Sequence, residues 1–399
     1  MGETKVYNKK MIAVATILTG ILISSNMYKV ASTMSLLTNY FAITTAEASF
    51  LMSVVNIMGA ILGIPAGSLM IKSGSKRLGI YALVSSFVGS FLGAFSHTMA
   101  LLLFSRFIEG FGLALIGVVG PSILAQWFNE EERGLPMAIW SCWVGLGLFT
   151  SLKLANFVTD EAVYGSWQNL WLLIGSLLVA VFVLFVVFIP KQKAGAVQKN
   201  DVAEKKTSKN PLLNSAAWCL AILFMIYSFG VISISSFSTT YCQEVLNCSL
   251  IEANNYTSFL TYGMIAGGFL AGIVLNHCRK HNLLLILSFL INALVFGLMF
   301  SYTTSWAIGY MIIGGCALSL TPATIFTIAP KAAFSAESMG VVMGILSTGQ
   351  NLGGFGVALS GQLLEWFGFS TTAVLLGIVG LAGTLLSIFY VKYLTRRFQ

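Results

Sequence analysis

Long apolar runs follow one another almost from end to end of this 399-residue chain. A bilayer core about 30 Å thick is crossed by roughly 20 apolar residues in a helix. Because backbone amides in hydrocarbon must bond within their own segment, runs of this length predict helices, whereas barrel strands would be short and alternating. Only 9% of the residues are charged, against about 25% in a soluble domain, so water is not the chain's main solvent.

The runs predict an all-α integral membrane protein with twelve transmembrane helices. The predicted spans cover about 11–37, 47–71, 78–96, 99–127, 136–158, 168–190, 213–239, 252–276, 283–301, 306–329, 339–366 and 371–393. The first span is too long for the apolar region of a secretory signal and lacks a small-residue cleavage site, so we expect a retained helix. A lysine-rich stretch then divides the chain into a six-helix bundle at 1–190, a cytoplasmic linker at 191–212 and a second six-helix bundle at 213–399.

The basic residues fall on one side of the predicted membrane. With the N-terminus inside, the cytoplasmic segments hold 19 of the 22 lysines and arginines, whereas the predicted external loops hold none. The 19 are Lys5, Lys9, Lys10, Lys72, Lys76, Arg77, Arg133, Lys191, Lys193, Lys199, Lys205, Lys206, Lys209, Arg279, Lys280, Lys331, Lys392, Arg396 and Arg397. This bias predicts a multi-pass protein of the bacterial inner (plasma) membrane with both termini in the cytoplasm. The net charge of +8 then reflects topology, and no nucleic-acid partner is implied.

The two halves resemble each other at an offset of roughly 205 residues, which indicates an internal duplication. Three glycines precede a basic pair in each half: Gly59, Gly63 and Gly67 before Lys76 and Arg77, and Gly263, Gly268 and Gly272 before Arg279 and Lys280. Six helices per half give both halves the same orientation, so the repeat is parallel. Glycines at this spacing serve close helix packing, and their repetition predicts that spans 2, 5, 8 and 11 slide past one another.

Two segments carry a family resemblance. The run GSLMIKSGSKR, residues 67–77, resembles the loop signature G-x-L-x-D-R-x-G-R-[RK] of the major facilitator superfamily, although Ile71 replaces its aspartate and Ser75 its arginine. The positions that fit are Gly67, Leu69, Lys72, Gly74 and Lys76. Arg106, Gly110 and Gly112 are similar to that family's R-x-x-x-G-x-G motif in the fourth helix.

The resemblance implies the major facilitator fold and a secondary active transporter that works by alternating access. It also implies a gating loop formed by Gly67, Gly74, Lys76 and Arg77. Lys29 provides a cation in the first helix, and in this respect the chain resembles the cyanate-permease and nitrate-porter branches of the family. In this family the arginine that corresponds to Arg106 faces the central cavity.

Three basic residues lie inside predicted spans: Lys29, Arg106 and Lys153. An ionisable group at this depth costs at least about 2.5–3.5 kcal/mol, so it is a functional candidate by default. Helical rise places all three roughly 10–15 Å below the external surface, where they could line one cavity. Their one obvious counter-charge is Glu109, three residues after Arg106 and on the same helix face.

Two interpretations of these charges stay open. In the structural one, Arg106 and Glu109 form an ion pair, while Lys29 and Lys153 snorkel outward or lose their protons. In the functional one, the unmatched positive charge binds a small anionic substrate, and Glu109 couples transport to a proton. Neighbouring amides complete that candidate substrate site: Asn26, Asn56, Gln350 and Asn351. The alternative function is proton-coupled export of drugs or other hydrophobic or cationic compounds.

Other chemistry finds little support in the sequence. A nucleophile paired with a base, or a metal-ligand cluster at catalytic depth, is not evident, so we expect a transporter without cofactor or metal rather than an enzyme. The expected partners are the small-molecule substrate, the lipid bilayer and a coupling proton, with the chain as a monomer. Cys242 and Cys248 share one predicted external loop, either as two free thiols or as a disulfide.

Overall fold

The computed structural model describes residues 8–128, 132, 134–190, 211–278, 280–332 and 336–394. Residues 191–210 of the predicted linker at 191–212 and the basic residues Lys5, Arg133, Arg279, Arg396 and Arg397 lie outside these ranges. The α-helices of the described ranges are α1 Lys9–Tyr28, α2 Met34–Phe41, α3 Thr45–Ser73, α4 Ser75–Ala94, α5 Met99–Trp127, α6 Gly134–Ser141, α7 Trp143–Val158, α8 Trp167–Phe188, α9 Ser215–Glu244, α10 Leu250–His277, α11 His281–Gly297, α12 Thr304–Leu318, α13 Leu320–Ala332, α14 Ala336–Phe355 and α15 Val357–Phe389.

Membrane-length apolar helices dominate the described part of the chain. Nine stretches are long and apolar enough to cross a bilayer, and two shorter apolar helices, α7 and α11, accompany them. One of the nine, Val341–Tyr393, is 53 residues long, which is enough for two crossings. Gly368 divides it, because its φ of 74° is a left-handed conformation that glycine adopts without strain. The described helices therefore provide the twelve predicted crossings.

Several spans that the sequence predicts as continuous helices are interrupted. Span 1 becomes α1, a 3₁₀ turn at Ala31–Thr33 and α2, while span 5 is divided at Cys142, span 10 at Ser319 and span 11 at Gly356. At the first break, the hydroxyls of Ser32 and Thr33 donate to the carbonyl of Lys29, at 3.1 and 2.7 Å. Hydroxyl side chains of this kind compete with the helical backbone for its acceptors. Hydropathy does not register such breaks, because the apolar run continues through them.

Helices α1–α8 pack mainly among themselves, and so do helices α9–α15. In the first set α5 packs on α3 and α4, and α1 on α7; in the second, α10 packs on α12, α9 on α14, and α11 on α15. The two sets meet where α3 packs against α14 and α15, and where α7 packs against α10. These contact helices belong to spans 2, 11, 5 and 8, the four that the glycine pattern predicts to slide past one another.

The contact between the two sets extends along α3 from Ser49 to Gly63. Ser49 lies against Gly361 near the start of α3, the Ser53 hydroxyl accepts a 2.8 Å hydrogen bond from the amide of Ala358, and Gly63 lies against Thr348. The α2–α3, α7–α8 and α9–α10 connections lie at the end of the molecule where α3 begins. We call this the α2–α3 end, and the two sets are closed against each other there.

Candidate functional site

Lys29 lies at the break in the first span, directly after α1 ends at Tyr28. Its side chain is fully buried, and its ammonium donates to three oxygens of the first helix set. These are the Oε1 of Glu109 at 2.6 Å, the Oδ1 of Asn26 at 2.7 Å and the Oγ of Ser90 at 2.9 Å. The ammonium nitrogen also lies 4.5 Å from the centroid of the Trp171 ring, where a cation–π interaction adds to the hydrogen bonds.

Arg106, on α5, is also fully buried and connects three helices. Its guanidinium donates to the backbone carbonyls of Asn26 and Met27 in the last turn of α1, each at 2.8 Å, and to that of Leu51 in α3 at 2.9 Å. It also pairs with Glu109 one helical turn away on the same face. The last carbonyls of a helix lack intrahelical partners, so Arg106 satisfies acceptors next to the break in span 1.

Glu109 thus joins both cations, and we call Lys29, Arg106 and Glu109 the charge cluster. Each side chain is at most 1% exposed. Gly89 of α4 leaves room for the Glu109 side chain, because a Cβ at this position would lie 2.5 Å from it. Two cations and one ionised carboxylate give the cluster one net positive charge in a low-dielectric surrounding, where such a charge is costly.

The charge cluster lies one residue from the second helix set. Tyr28, which precedes Lys29, is 2% exposed, and its hydroxyl lies close to the Ser235 side chain of α9. Ser32, which follows the break, shares a 3.0 Å hydrogen bond with Ser151 of α7, and its carbonyl accepts from Asn254 of α10 at 3.2 Å. The break between α1 and α2 is therefore in direct contact with the second helix set.

Lys153 does not join the charge cluster. It lies half-buried on α7 and donates at 2.6 Å to the Oδ1 of Asn255, a residue of α10. Asn156, one turn further along α7, donates to the same oxygen at 3.1 Å. The sequence places all three cations at one depth; the structure brings Lys29 and Arg106 together and directs Lys153 to the other helix set.

The other predicted site residues are distributed between two places. Asn26 belongs to the charge cluster, as an acceptor for Lys29. Asn56, Gln350 and Asn351 lie on α3 and α14: Asn56 lies against Gly354, Asn351 against Gly59, and Gln350 is half-buried. Sequence reasoning missed Ser90, Trp171 and the Asn254–Asn255 pair. Only the pair had a signal, since two adjacent amides in an apolar helix favour polar contact with a neighbouring helix.

The predicted gating loop is a tight connection between α3 and α4. Gly74 ends α3 with a φ of 79°, which favours glycine. Lys76 donates to the carbonyl of Val186 at 2.7 Å, near the C-terminus of α8, and Arg77 is exposed. This Lys76 contact stays within the first helix set and places a cation where the helix dipole favours one. The side chains of Ile71 and Lys72 lie outside the described part of the structure.

Neither a metal-ligand group nor a disulfide is found among the described residues. Among the described residues no group of His, Cys, Asp or Glu could hold a metal ion. Cys242 is buried and Cys248 half-buried, and both are free thiols. Burial and the nearby Glu252 carboxylate raise the pKa of the Cys248 thiol. Loss of its proton is therefore less favourable than in an exposed cysteine, and its reactivity as a thiolate is reduced.

Membrane-length helices in two packed sets, with a buried charge cluster beside their contact, define a polytopic membrane transporter. The chain belongs to the Major Facilitator Superfamily, whose family model matches residues 14–358. Its fold is therefore the major facilitator fold, and its family is one of membrane transporters and not of enzymes.

Three relatives illustrate the breadth of the similarity. The chain is 23% identical over 337 residues to a nitrite extrusion protein of Bacillus subtilis, covering 82% of this chain and 80% of that protein. It is 23% identical over 269 residues to the uncharacterized transporter YfiU of the same organism, covering 58% of this chain and 50% of that protein. It is 22% identical over 190 residues to the arabinose–proton symporter of Escherichia coli K12, covering 47% and 39%. The chain thus spans about half the length of YfiU and less of the symporter.

Proposed function

We propose that the protein is a secondary active transporter that moves a small anionic solute across the bacterial inner membrane by alternating access. The two six-helix bundles, 1–190 and 213–399, rock about a site between them, joined by the cytoplasmic linker at 191–212. The observation that carries the anion assignment is the charge cluster, in which two buried cations share one carboxylate. An anion that binds beside the charge cluster relieves this uncompensated charge, whereas a cation increases it.

The similarity to a nitrite extrusion protein over 82% of the chain supports the same assignment, since nitrite is a small anion. The basic residues support the proposed orientation, in which both termini are cytoplasmic and the α2–α3 end faces outward. Lys9 agrees with it, because its ammonium lies 2.6 Å from Glu132 in the connection between α5 and α6, which the same topology places inside. A single chain contains both bundles, so we propose a monomer.

Glu109 is the proposed proton-coupling group, with Lys29 and Arg106 as the proposed anion-binding residues. All three N–H groups of the Lys29 ammonium already have acceptors, as do four of the five of Arg106. Direct contact of an anion with Lys29 therefore requires one acceptor to leave, and we propose that Glu109 does so. A proton on Glu109 removes the negative charge and leaves both cations unmatched. Protonation and anion binding therefore favour each other, and reciprocal coupling of this kind makes anion and proton move together. Similarity of part of the chain to a proton symporter supports coupling to protons.

Transport assays in proteoliposomes test this proposal. Purified protein would be assayed for uptake of nitrite, nitrate, cyanate, mono- and dicarboxylates and, in parallel, a panel of cationic and neutral drugs, with protein-free liposomes as background. We expect saturable transport of at least one anion, stimulated by an inward proton gradient. The Glu109→Gln variant should lose accumulation driven by that gradient while retaining exchange of the same anion. Transport restricted to cationic or hydrophobic drugs would refute the anion proposal and favour a proton-coupled exporter.

A further inference from the structure

Lys153 has no acidic partner in the part of the chain that the structure describes. Ion pairs within 4 Å there involve Lys9, Lys29 and Arg106, with Glu132 and Glu109 as the carboxylates. Apart from the Asn255 oxygen, the ammonium of Lys153 faces the ring of Phe149, 5.6 Å from its centroid. A full positive charge within a membrane helix is therefore held by one neutral amide oxygen.

Asn255 belongs to a group of three amides and one ammonium that joins the two helix sets, which we call the amide clasp. Its members are Lys153 and Asn156 of α7, and Asn254 and Asn255 of α10. Asn254 is fully buried and donates to the Oδ1 of Asn156 at 3.0 Å. Asn156 in turn donates to the Oδ1 of Asn255 at 3.1 Å. These bonds, like that of Lys153, run between α7 and α10. Separation of the two helices at the α2–α3 end therefore breaks them together.

The members of the clasp differ in what they retain after separation. Asn254 keeps a partner in its own helix set, because its Oδ1 accepts from the Thr239 hydroxyl at 3.3 Å. Asn156 is neutral, and water can replace its amide partners at little cost. Lys153 is the exception, since it loses its oxygen acceptor and keeps its charge. A charged ammonium facing an opening crevice at membrane depth attracts an oxygen-bearing anion.

We propose that Lys153 captures the transported anion when α7 and α10 separate, and that the Asn255 oxygen occupies the anion's place while they are in contact. This inference rests on the proposed anion transport, and it separates Lys153 from the charge cluster as a first contact at the α2–α3 end. Closure then brings the Asn255 oxygen back to the ammonium in the place that the anion occupied. Exchange of one oxygen ligand for another couples release of the anion from Lys153 to closure of this end.

The test measures the local preference for anions without requiring the transported solute. Phe157, four residues after Lys153 and 84% exposed, is replaced by cysteine in a chain that also carries Asn255→Ala, which frees the ammonium. Purified protein in nanodiscs is treated with a sulfonate-bearing, anionic methanethiosulfonate or with a trimethylammonium-bearing, cationic one. The ratio of the two reaction rates reports the charge near residue 157, because any effect on thiol ionisation is common to both reagents. The Phe157-containing protein, with its six native cysteines, supplies the background rates.

We expect Lys153→Gln to lower the anionic-to-cationic ratio by at least about fivefold, as loss of one nearby charge requires. Lys153→Arg should restore the ratio, and Asn255→Asp in place of Asn255→Ala should lower it by supplying a permanent internal anion. Equal ratios for Lys153 and Lys153→Gln would overturn the inference. If the Asn255→Ala chain does not fold, Asn156→Cys serves as the reporter, since this change itself opens the clasp one turn from Lys153. If no anion is transported but Lys153→Gln still lowers the ratio, the proposed function is refuted while Lys153 remains an anion site.

Discussion

Lys29 donates a 2.6 Å hydrogen bond to Glu109, and neither side chain is more than 1% exposed. Glu109 also pairs with Arg106, so a single carboxylate serves two cations. The consequences of removing each partner are therefore unequal. Loss of the carboxylate leaves two buried positive charges together, whereas loss of the Lys29 ammonium leaves a neutral Arg106–Glu109 pair.

This asymmetry predicts that Glu109→Gln destabilises the protein more than Lys29→Met does. Removal of one partner from a buried ion pair costs about 3–5 kcal/mol in free energy of unfolding. Lys29→Met also removes hydrogen bonds to Asn26 and Ser90. This loss of stability is offset in part, because the same change removes the net positive charge of the cluster. Thermal unfolding of the purified variants in one detergent would measure the difference as Tm. Equal losses of Tm would mean that net charge does not govern the stability of the cluster.

Arg106→Lys should be destabilising even though it keeps the charge. The guanidinium donates in three directions, to Asn26 and Met27 of α1 and to Leu51 of α3, and a single ammonium cannot reach all of these carbonyls. A hydrogen bond from a charged donor contributes about 1.5–3 kcal/mol, so loss of two would lower the free energy of unfolding by about 3–6 kcal/mol. Thermal unfolding measures this, with Arg77→Lys as the control because Arg77 is exposed. A similar Tm for both variants would show that Arg106 acts through its charge alone.

The coupling proposed for Glu109 gives anion binding a definite pH dependence. A proton on Glu109 adds one positive charge to the cluster, so anion affinity should rise as pH falls. Glu109→Gln mimics the protonated form, and its affinity should be high and nearly independent of pH. Nitrite binding to purified protein, measured by calorimetry across a pH series, distinguishes the two behaviours. The opposite trend, with tighter binding at high pH, would exclude Glu109 as a symport proton carrier.

Several features of the site were predictable from the sequence, and each depended on local spacing. Arg106 and Glu109 are three residues apart on one helix, so their pairing follows from helical geometry. The crossings are predictable because hydropathy is a property of each segment by itself. The partners of Lys29 and Lys153 were not predictable, since Glu109 lies 80 residues from Lys29 and Asn255 lies 102 residues from Lys153. Contacts across such separations depend on how the helices pack, and the local pattern of a single sequence does not reveal that packing.

The glycine pattern illustrates the same limit, and it leads to a matched pair of variants. The sequence gives Gly63 and Gly268 equivalent places in the two halves. In the structure a Cβ on Gly63 would lie 2.8 Å from the Thr348 hydroxyl and 3.1 Å from its backbone nitrogen, in the contact between α3 and α14. A Cβ on Gly268 would meet no atom within 4 Å. Of the two equivalent glycines, Gly63 therefore lies in a contact between the helix sets, and Gly268 does not.

Gly63→Ala should accordingly slow transport, while Gly268→Ala should leave the rate within about twofold of the parent, because open space accommodates the added methyl group. Gly63→Ala disturbs the fit of α3 against α14, so it should also speed the reaction of a Ser53→Cys reporter, ten residues away in the same contact, with an impermeant thiol reagent. Small residues allow this close approach of helices, and even one methyl group is enough to disturb it. Rates of anion uptake in proteoliposomes and of thiol labelling in nanodiscs would be measured for both variants. Equal effects at the two positions would indicate that the glycines act through helix propensity, which alanine changes similarly in both helices.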